Sequence, residues 1–212
     1  MCQVLSQRAC KMHFHFPSCK ACSGFFDKIW LLMCLLMKLH LGCGKRYIPG
    51  WIHVDGLKFD HVDFVSPVDR LPFIPDCSSD LVYASHVLEH FPRAKAPQVL
   101  SEWFRVLKVG GIIRLAVPDI KVLCELYLEH QDLSIIKGPL YGGQDHEYNF
   151  HYNGFDQQSL THLLLQTGFT SVRTWNWRKT EHSNVDDFSQ AYYPHMDKDS
   201  GILVSLNLEA VK

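Results

Sequence analysis

The sequence lacks any concentrated basic segment. Its 21 Lys and Arg residues are balanced by 22 Asp and Glu residues, which leaves a net charge of −1. A protein that binds the phosphate backbone of a nucleic acid needs a concentrated positive surface. We therefore predict that this chain has no nucleic-acid partner. Internal repeats and low-complexity tracts are also missing, which excludes repeat architectures and argues for an ordinary folded domain.

Long apolar runs are scarce as well. The run at 29–37 is far shorter than the roughly 20 residues that a membrane-spanning helix needs. It also comes too late in the chain to be the apolar part of a signal peptide. The eight cysteines are scattered, as is typical of reduced thiols rather than a disulfide framework. The sequence thus predicts no stable membrane span, and we expect a cytoplasmic protein.

Residues 1–36 differ from the rest of the chain, because they are rich in cysteine and show no clear hydrophobic period. We expect an irregular extension of one of three kinds. It is a disordered tail, a helix packed on the domain, or a stretch absent from the native product. In the last case Met33 or Met37 is the true start. The oligomeric state is not predicted.

The same segment contains a group of residues with metal-binding side chains. Cys19-x-x-Cys22 is preceded by Cys10, His13 and His15. No second pair follows at a spacing typical of zinc sites. We therefore predict unligated thiols and no metal site.

From residue 37 onward the sequence alternates between predicted strands and helices, which predicts one domain over 37–212 with an open, mainly parallel sheet flanked by helices. The glycines at 110–111 are expected to end the first long helix as a C-cap. Strands are predicted at 38–41, 51–54, 62–65, 80–84, 112–117, 171–177 and 202–210, and helices at 94–107, 120–129 and 159–166.

The most informative segment joins the first two strands. The first strand ends in Gly42-Cys43-Gly44, and the second ends in Asp55. Two glycines allow a sharp turn and the close approach of a ligand. A carboxylate at the end of the next strand is placed to accept hydrogen bonds from ribose hydroxyls. The pair therefore indicates a cofactor that contains adenosine, although a tight turn without any ligand has the same local sequence.

The residues after this turn argue against a pyrophosphate cofactor. Tyr47 occupies the position of the third glycine in a dinucleotide-binding motif, and a proline and a glycine at 49–50 interrupt the chain before a helix can form. The helix whose N-terminus would bind a pyrophosphate is thus not predicted. S-adenosylmethionine contains no phosphate and suits such a turn better.

Several further segments appear in a fixed order and extend this interpretation. Together they resemble the class I S-adenosylmethionine-dependent methyltransferases, and more narrowly the small methyltransferase type 11 group, over roughly residues 37–212. The resemblance implies a Rossmann-like, seven-stranded sheet with helices on both faces and an antiparallel last strand. The segments are Leu-His-Leu-Gly-Cys-Gly (39–44), Gly-Trp-Ile-His-Val-Asp (50–55), Leu-Pro-Phe (71–73), Ser-Ser-Asp-Leu-Val-Tyr-Ala-Ser-His-Val-Leu-Glu-His (78–90) and Glu-Trp-Phe-Arg-Val-Leu-Lys-Val-Gly-Gly (102–111).

The resemblance also implies which residues contact the cofactor. The glycine turn passes under the methionine part, and Asp55 binds the ribose. Asp69 lies just before Leu-Pro-Phe, where members of the family often have an acidic residue that contacts the adenine. The position at which that acid is expected falls at Ser66 or Pro67 in this sequence. Ser85 and His86 lie beside the methionine part and the transferable methyl group. The cofactor-binding residues implied are Gly42, Cys43, Gly44, Asp55, Asp69, Ser85 and His86.

Methyl transfer to a hydroxyl group also requires removal of its proton, and histidine is the usual base. Of the 13 histidines, His86 and His151 are the candidate catalytic residues. We expect His90 to brace the following loop and Glu89 to bind backbone amides.

We therefore predict an enzyme that transfers a methyl group from S-adenosylmethionine to a small-molecule or saccharide acceptor, at a hydroxyl group. Three alternatives remain at this point. The first is a module that binds S-adenosylmethionine without catalysis. The second is a nicotinamide-dependent oxidoreductase. The third is a structural interaction protein that binds neither cofactor.

Overall fold

The computed structural model describes residues 36–212, so the predicted extension at 1–36 and its cysteines and histidines lie almost wholly outside the described residues. Seven strands form the main sheet, and two short strands form a separate ribbon. The main-sheet strands are β1 (Lys38–Leu41), β2 (Ile52–Asp55), β3 (Phe64–Val65), β4 (Ser79–Ser85), β5 (Leu107–Pro118), β6 (Thr170–Thr174) and β9 (Ser205–Val211), and the ribbon is β7 (Tyr192–Tyr193) with β8 (Ile202–Leu203).

The strand order is β3-β2-β1-β4-β5-β9-β6. Strands β1 to β5 pair in parallel, and β9 runs antiparallel to both of its neighbours, β5 and β6. The predicted Rossmann-like sheet with an antiparallel last strand is therefore confirmed. Four α-helices accompany the described strands: α1 (Ala96–Val106), α2 (Ile120–His130), α3 (Leu133–Tyr141) and α4 (Gln157–Thr167). No helix among these described residues is long and apolar enough to cross a membrane.

The two faces of the sheet are covered differently. Val82 and Ala84 of β4 belong to the main core, where α1 contributes Leu100 and Trp103 and α4 contributes Leu164. The indole N–H of Trp103 donates a hydrogen bond to the backbone of the 66–70 loop, so its one polar atom is satisfied in the core. Alternation along β4 thus sends every second side chain towards the helices.

The opposite face of β4 carries Leu81 and Tyr83, which pack against loop residues rather than a helix. The residues between β1 and β2 form turns, as the proline and glycine at 49–50 predict, and they supply Ile48 and Trp51 to this face. A later loop supplies Trp175. The centre of this face is therefore covered by two loop segments.

Several predicted boundaries differ from the structure. The prediction that Gly110-Gly111 caps the first helix is wrong, because α1 already ends at Val106 and Leu107 is extended and pairs with β4. Gly110 instead lies within β5 with a φ of +81°, where its N–H donates to the backbone of Lys212. The predicted strand at 171–177 ends at Thr174, the strand at 202–210 divides into β8 and β9, and α3 was not predicted.

Candidate active site

The glycine turn at the end of β1 has the backbone conformation that its sequence predicts. Gly42 and Gly44 have φ values of +62° and +54°, in the left-handed region that favours glycine. A Cβ atom on Gly42 would lie only 2.5 Å from a methyl carbon of Val87, so the turn is also packed against the segment after β4. The N–H of Gly42 donates to the carbonyl of Val54 at 2.8 Å, which ties the turn to β2.

Asp55 holds the same turn from the end of β2. One carboxylate oxygen accepts a hydrogen bond from the N–H of Gly44 and the other from the N–H of Leu57, both at 2.7 Å. Each oxygen of a carboxylate can accept a second hydrogen bond. The side chain is 8% exposed, so its open edge reaches the neighbouring cavity. Asp55 can therefore shape the turn and bind a ribose hydroxyl at the same time.

Cys43 contributes its backbone to the turn rather than a reactive thiol. Its side chain is buried, and burial together with the nearby Asp55 carboxylate raises the pKa of the thiol to about 12. The thiolate is the nucleophilic form of cysteine. Cys43 is thus a packed, protonated side chain at neutral pH.

A cavity of about 1810 Å³ opens at the carboxyl ends of β1, β2 and β4. Ligands of open α/β sheets bind at this edge, because the carboxyl ends of parallel strands meet there. The structure brings every residue predicted to contact the cofactor to its wall. These residues are Gly42, Cys43, Gly44, Asp55, Asp69, Ser85 and His86.

Asp69 has a competing partner in this structure. Its carboxylate forms an ion pair with the ammonium group of Lys95, just before α1. Both residues line the large cavity. The carboxylate that was expected to meet the adenine is therefore partly neutralised, and Lys95 is a cavity residue that no sequence motif marks.

His86 stands at the end of β4 with a φ of +54°, and its ring has a defined tautomer. The amide nitrogen of Asn207 donates to the carbonyl of Ser189, so the amide oxygen of Asn207 accepts from the hydroxyl of Ser205. The Ser205 oxygen then accepts from Nε2 of His86 at 3.1 Å. This series of hydrogen bonds places the ring hydrogen of His86 on Nε2. The lone pair is therefore on Nδ1, which faces Glu89.

The histidines of this region are neutral at physiological pH. Burial lowers the pKa of His86 to about 3, and His151 and His90 lower it further. Burial also lowers the pKa of His90 to about 4, and it lowers the pKa of His151. A histidine with such a depressed pKa stays unprotonated at neutral pH, so each ring keeps one nitrogen with a free lone pair.

A second cavity, of about 530 Å³, adjoins the first. Its walls come mainly from apolar and aromatic residues of α2, α3 and the β7–β8 ribbon, and His151 is among them. The two cavities share four wall residues, which are His86, His90, Asn149 and Phe188. The ring of Phe188 lies 5.3 Å from that of His86, so the two side chains form a common partition.

Two residues of this region differ from the sequence interpretation. Glu89 was expected to bind backbone amides. Its buried carboxylate makes no hydrogen bond to another residue in the described part of the chain, and the one backbone N–H that lowers its pKa is its own. Phe188 lies in the long connection between β6 and β9 and was not predicted as a site residue. No motif marks Phe188, since only the path of this loop brings it beside β4. His90 was expected to brace the following loop, whereas its Nδ1 lies 3.1 Å from the backbone carbonyl of Phe150 in a distant segment.

Comparison with known proteins agrees with the fold. The sequence model of the type 11 family, described as "Methyltransferase domain", matches residues 51–115. No curated protein matches the sequence.

Solved structures similar to this chain include three methyltransferases. One is a SAM-dependent methyltransferase, possible histamine N-methyltransferase, from Thermotoga maritima, with 16% identity, 88% coverage of both chains and a TM-score of 0.54. Another is a SAM-dependent methyltransferase from Archaeoglobus fulgidus, with 16% identity, coverage of 88% of this chain and 91% of that chain, and a TM-score of 0.52. The 1,6-didemethyltoxoflavin-N1-methyltransferase from Burkholderia thailandensis, with bound 1,6-didemethyltoxoflavin and S-adenosylhomocysteine, has 15% identity, coverage of 86% and 73%, and a TM-score of 0.53. At these identities the likeness establishes the fold.

The fold and the cavity at the carboxyl edge of the sheet are those expected of a protein that binds an adenosine cofactor. The family match makes this expectation specific. Residues 51–115 match a methyltransferase domain, and the fold is the one that S-adenosylmethionine-dependent methyltransferases of known structure share, which together indicate a methyltransferase whose cofactor is S-adenosylmethionine. The predicted class, enzyme type and cofactor are thus confirmed, which removes the nicotinamide-dependent and purely structural alternatives.

Proposed function

We propose that the chain transfers the methyl group of S-adenosylmethionine to a hydroxyl oxygen of a small molecule bound in the second cavity. One observation carries this proposal. His86 and Phe188 form the partition between the large cavity at the glycine turn and the smaller cavity beside α2 and α3. A methyl group presented near His86 is therefore within reach of an acceptor on the other side.

The reaction needs close positioning more than activation of the cofactor. The acceptor oxygen attacks the methyl carbon in line with the carbon–sulfur bond. That bond breaks with its electron pair on sulfur, which gives S-adenosylhomocysteine, and the acceptor loses its hydroxyl proton. Holding both reactants in this geometry supplies much of the rate enhancement.

The walls of the second cavity favour an acceptor with an apolar or aromatic face. Leu123, Leu126, Ile135 and Val204 line it together with tyrosines of the β7–β8 ribbon. Such walls gain free energy when they exclude water against an apolar ligand, at roughly 25 cal/mol per Å² of buried apolar surface. A phenolic acceptor therefore suits the cavity better than a free sugar, which remains the competing acceptor class.

His86 and His151 remain the predicted catalytic residues, and their surroundings differ. Nε2 of His86 already donates to Ser205, so this ring positions the partition rather than receiving a proton through that atom. Nδ1 of His151 lies 2.8 Å from the carbonyl of Pro139, so Nδ1 carries the hydrogen and Nε2 keeps its lone pair. His151 thus offers a lone pair at the wall of the second cavity.

Cofactor binding is tested with Asp55→Asn. An asparagine has only one acceptor oxygen, so it cannot serve Gly44, Leu57 and a ribose as the carboxylate does. We expect the affinity for S-adenosylmethionine, measured by calorimetry, to fall about 10- to 100-fold, since hydrogen bonds to charged groups contribute about 1.5–3 kcal/mol. Asp63→Asn is the matched control, because Asp63 also accepts from a β2 amide and lies outside the cavity wall. Equal losses in both variants would argue against the ribose role of Asp55.

Acceptor binding is tested with a panel of phenols, amines and sugars, with the methylated product and S-adenosylhomocysteine measured by mass spectrometry. We expect turnover of phenols. Ala191→Leu should narrow the second cavity and raise the KM for the acceptor while the Kd of the cofactor stays unchanged. The matched control is Ala94→Leu on the surface before α1. Cofactor binding without turnover of any compound would favour the non-catalytic module, and turnover of sugars alone would overturn the acceptor class.

A further inference from the structure

Beside the second cavity, several acceptor atoms converge without a hydrogen-bond donor between them. The carboxylate of Glu89 is 0% exposed, and neither of its oxygens has a hydrogen-bond partner among residues 36–212. Nδ1 of His86 lies 3.3 Å from one of these oxygens, and Nε2 of His151 lies 4.0 Å from the same oxygen. His90 faces His151 edge to face, with 4.8 Å between the ring centroids.

The backbone fixes which nitrogen of each ring carries its hydrogen. Nδ1 of His90 lies 3.1 Å from the carbonyl of Phe150, and Nδ1 of His151 lies 2.8 Å from that of Pro139. A carbonyl oxygen only accepts, so both rings are protonated at Nδ1 and carry the lone pair on Nε2. The lone pair of His86 is on Nδ1, as the Ser205–Asn207 chain requires. All three imidazoles therefore direct lone pairs towards the Glu89 region.

This arrangement is unfavourable unless a positive charge lies among these atoms. Burying a carboxylate without a partner is unfavourable, because the charge loses its hydration and gains no compensating interaction. Protonation of Glu89 would remove its charge and with it part of this cost. A protonated Glu89, however, donates a single hydrogen bond and would leave the other lone pairs unused.

We propose that Glu89, His90 and His151 bind a divalent metal ion, and that Zn²⁺ suits this donor set best. One ligand atom from each residue lies within 4.8 Å of those of the other two, so small side-chain movements would bring them to bonding distance. Two imidazoles with one carboxylate and one open position are typical of catalytic zinc sites. The carbonyls that accept from Nδ1 of both histidines are the outer partners usual for histidines that bind metals.

The backbone also holds the three ligands together. The N–H groups of Tyr152 and Asn153 donate to the carbonyl of Glu89 at 2.9 and 3.1 Å. His151 is thereby fixed against the turn that carries Glu89 and His90, although it is far away in the chain. Preorganisation of this kind lowers the cost of binding an ion.

The role of the ion rests on the proposed methyl transfer, whereas its binding does not. His90 lines both cavities and His151 lines the second, so an ion held by these residues would lie at the wall of the acceptor cavity. A hydroxyl group bound there has a lowered pKa and releases its proton to water. Its oxygen then attacks the methyl carbon, and no histidine needs to act as a base.

The test measures metal binding by the full-length chain without cofactor or acceptor. Protein treated with EDTA is titrated with Zn²⁺, Mn²⁺ and Mg²⁺ by calorimetry. We expect one Zn²⁺ that wild type binds and that His90→Asn and Glu89→Gln bind more than about 100-fold more weakly, because even outer partners of a metal ligand contribute about 10- to 100-fold. His195→Gln is the matched control, since His195 lines the same cavity outside the cluster.

The difference between wild type and variants is the decisive quantity, because any Zn²⁺ held by the cysteines of residues 1–36 is unaffected by these substitutions. As a second measurement, Zn²⁺ should raise the Tm of wild type and of His195→Gln, and not that of the two ligand variants. Identical Zn²⁺ uptake and Tm shifts in wild type and both ligand variants would overturn the proposal, as would no uptake by wild type. Either result leaves the tests of cofactor binding and methyl transfer untouched.

Discussion

At the scale of single residues, Gly42 is constrained in two separate ways. Its φ of +62° disfavours any side chain, and a Cβ atom would also collide with Val87. Gly50 shares only the first constraint, because it has a φ of +78° and no atom lies within 4 Å of the place that a Cβ would occupy. A comparison of Gly42 with Gly50 therefore separates two reasons for a glycine, the positive φ and the lack of space for a side chain.

We predict that Gly42→Ala destabilises the protein more than Gly50→Ala does. Gly50→Ala should cost about 1 kcal/mol of unfolding free energy, the usual cost of a left-handed non-glycine residue. Gly42→Ala adds the displacement of Val87, and it should also weaken S-adenosylmethionine binding, since Val87 follows the wall residue His86. Urea unfolding and calorimetry measure the two effects. Similar values for both variants would show that the contact with Val87 is unimportant.

At the scale of structural elements, one hydrogen bond ties β4 to the loop that carries Phe188. The hydroxyl of Tyr83, which is fully buried, donates to the carboxylate of Asp187 at 2.5 Å. Asp187 also accepts from the N–H of Ser189 at 2.8 Å, which shapes the turn around Phe188. The partition between the cavities thus depends on a contact between elements distant in the chain.

We predict that Tyr83→Phe lowers the free energy of unfolding by about 1–3 kcal/mol, because Asp187 loses a donor in a buried place. The loss of this anchor should also reduce methyl transfer more than it reduces cofactor affinity. Tyr127→Phe, on the exposed side of α2, is the control and should change neither the free energy of unfolding nor the rate of methyl transfer. Unchanged stability of Tyr83→Phe would mean that the hydrogen bond contributes nothing to the loop.

At the scale of the whole molecule, buried histidines make stability depend on pH. His182 is 2% exposed and packs among the rings of Trp51, Tyr83 and Trp175 on the loop-covered face of the sheet. Burial lowers its pKa to about 4, and Arg114 and Lys38 lower it while Asp187 and Glu181 oppose them. Burial likewise lowers the pKa values of the neighbouring His40 and His53.

The sign follows from which state binds the proton. In the unfolded chain His182 has a pKa of about 6.5, so below this pH it binds a proton. In the folded protein its burial keeps it unprotonated over the same pH range. Stability contributed by neutral His182 is therefore complete above pH 6.5 and is lost as the pH falls towards 4, by up to about 3 kcal/mol. We expect His182→Phe to flatten the pH dependence of the unfolding free energy between pH 7.5 and 4.5. The exposed His162→Phe is the control, and equal slopes in wild type and His182→Phe would contradict the prediction.

Much of the candidate cofactor site was predictable because its residues lie where strands end. Gly42, Asp55 and Ser85 each follow a short apolar run, and parallel strands bring their carboxyl ends to one edge. The predicted contact residues therefore share a cavity wall in the structure. The helix boundary at Gly110-Gly111 was misjudged for a related reason, since the pairing of Leu107 with β4 overrides the local preference of glycine for a helix end.

The sequence by itself determined the sheet, the glycine turn and the class of cofactor, because these depend on local periodicity and on residues next to one another in the chain. Tertiary structure decided the partition and the cluster beside it. Phe188 reaches His86 only through a long loop, and His151 reaches Glu89 only through backbone contacts with a distant turn. These contacts depend on packing between segments that are far apart in the chain. A local sequence pattern therefore does not predict which side chains become neighbours.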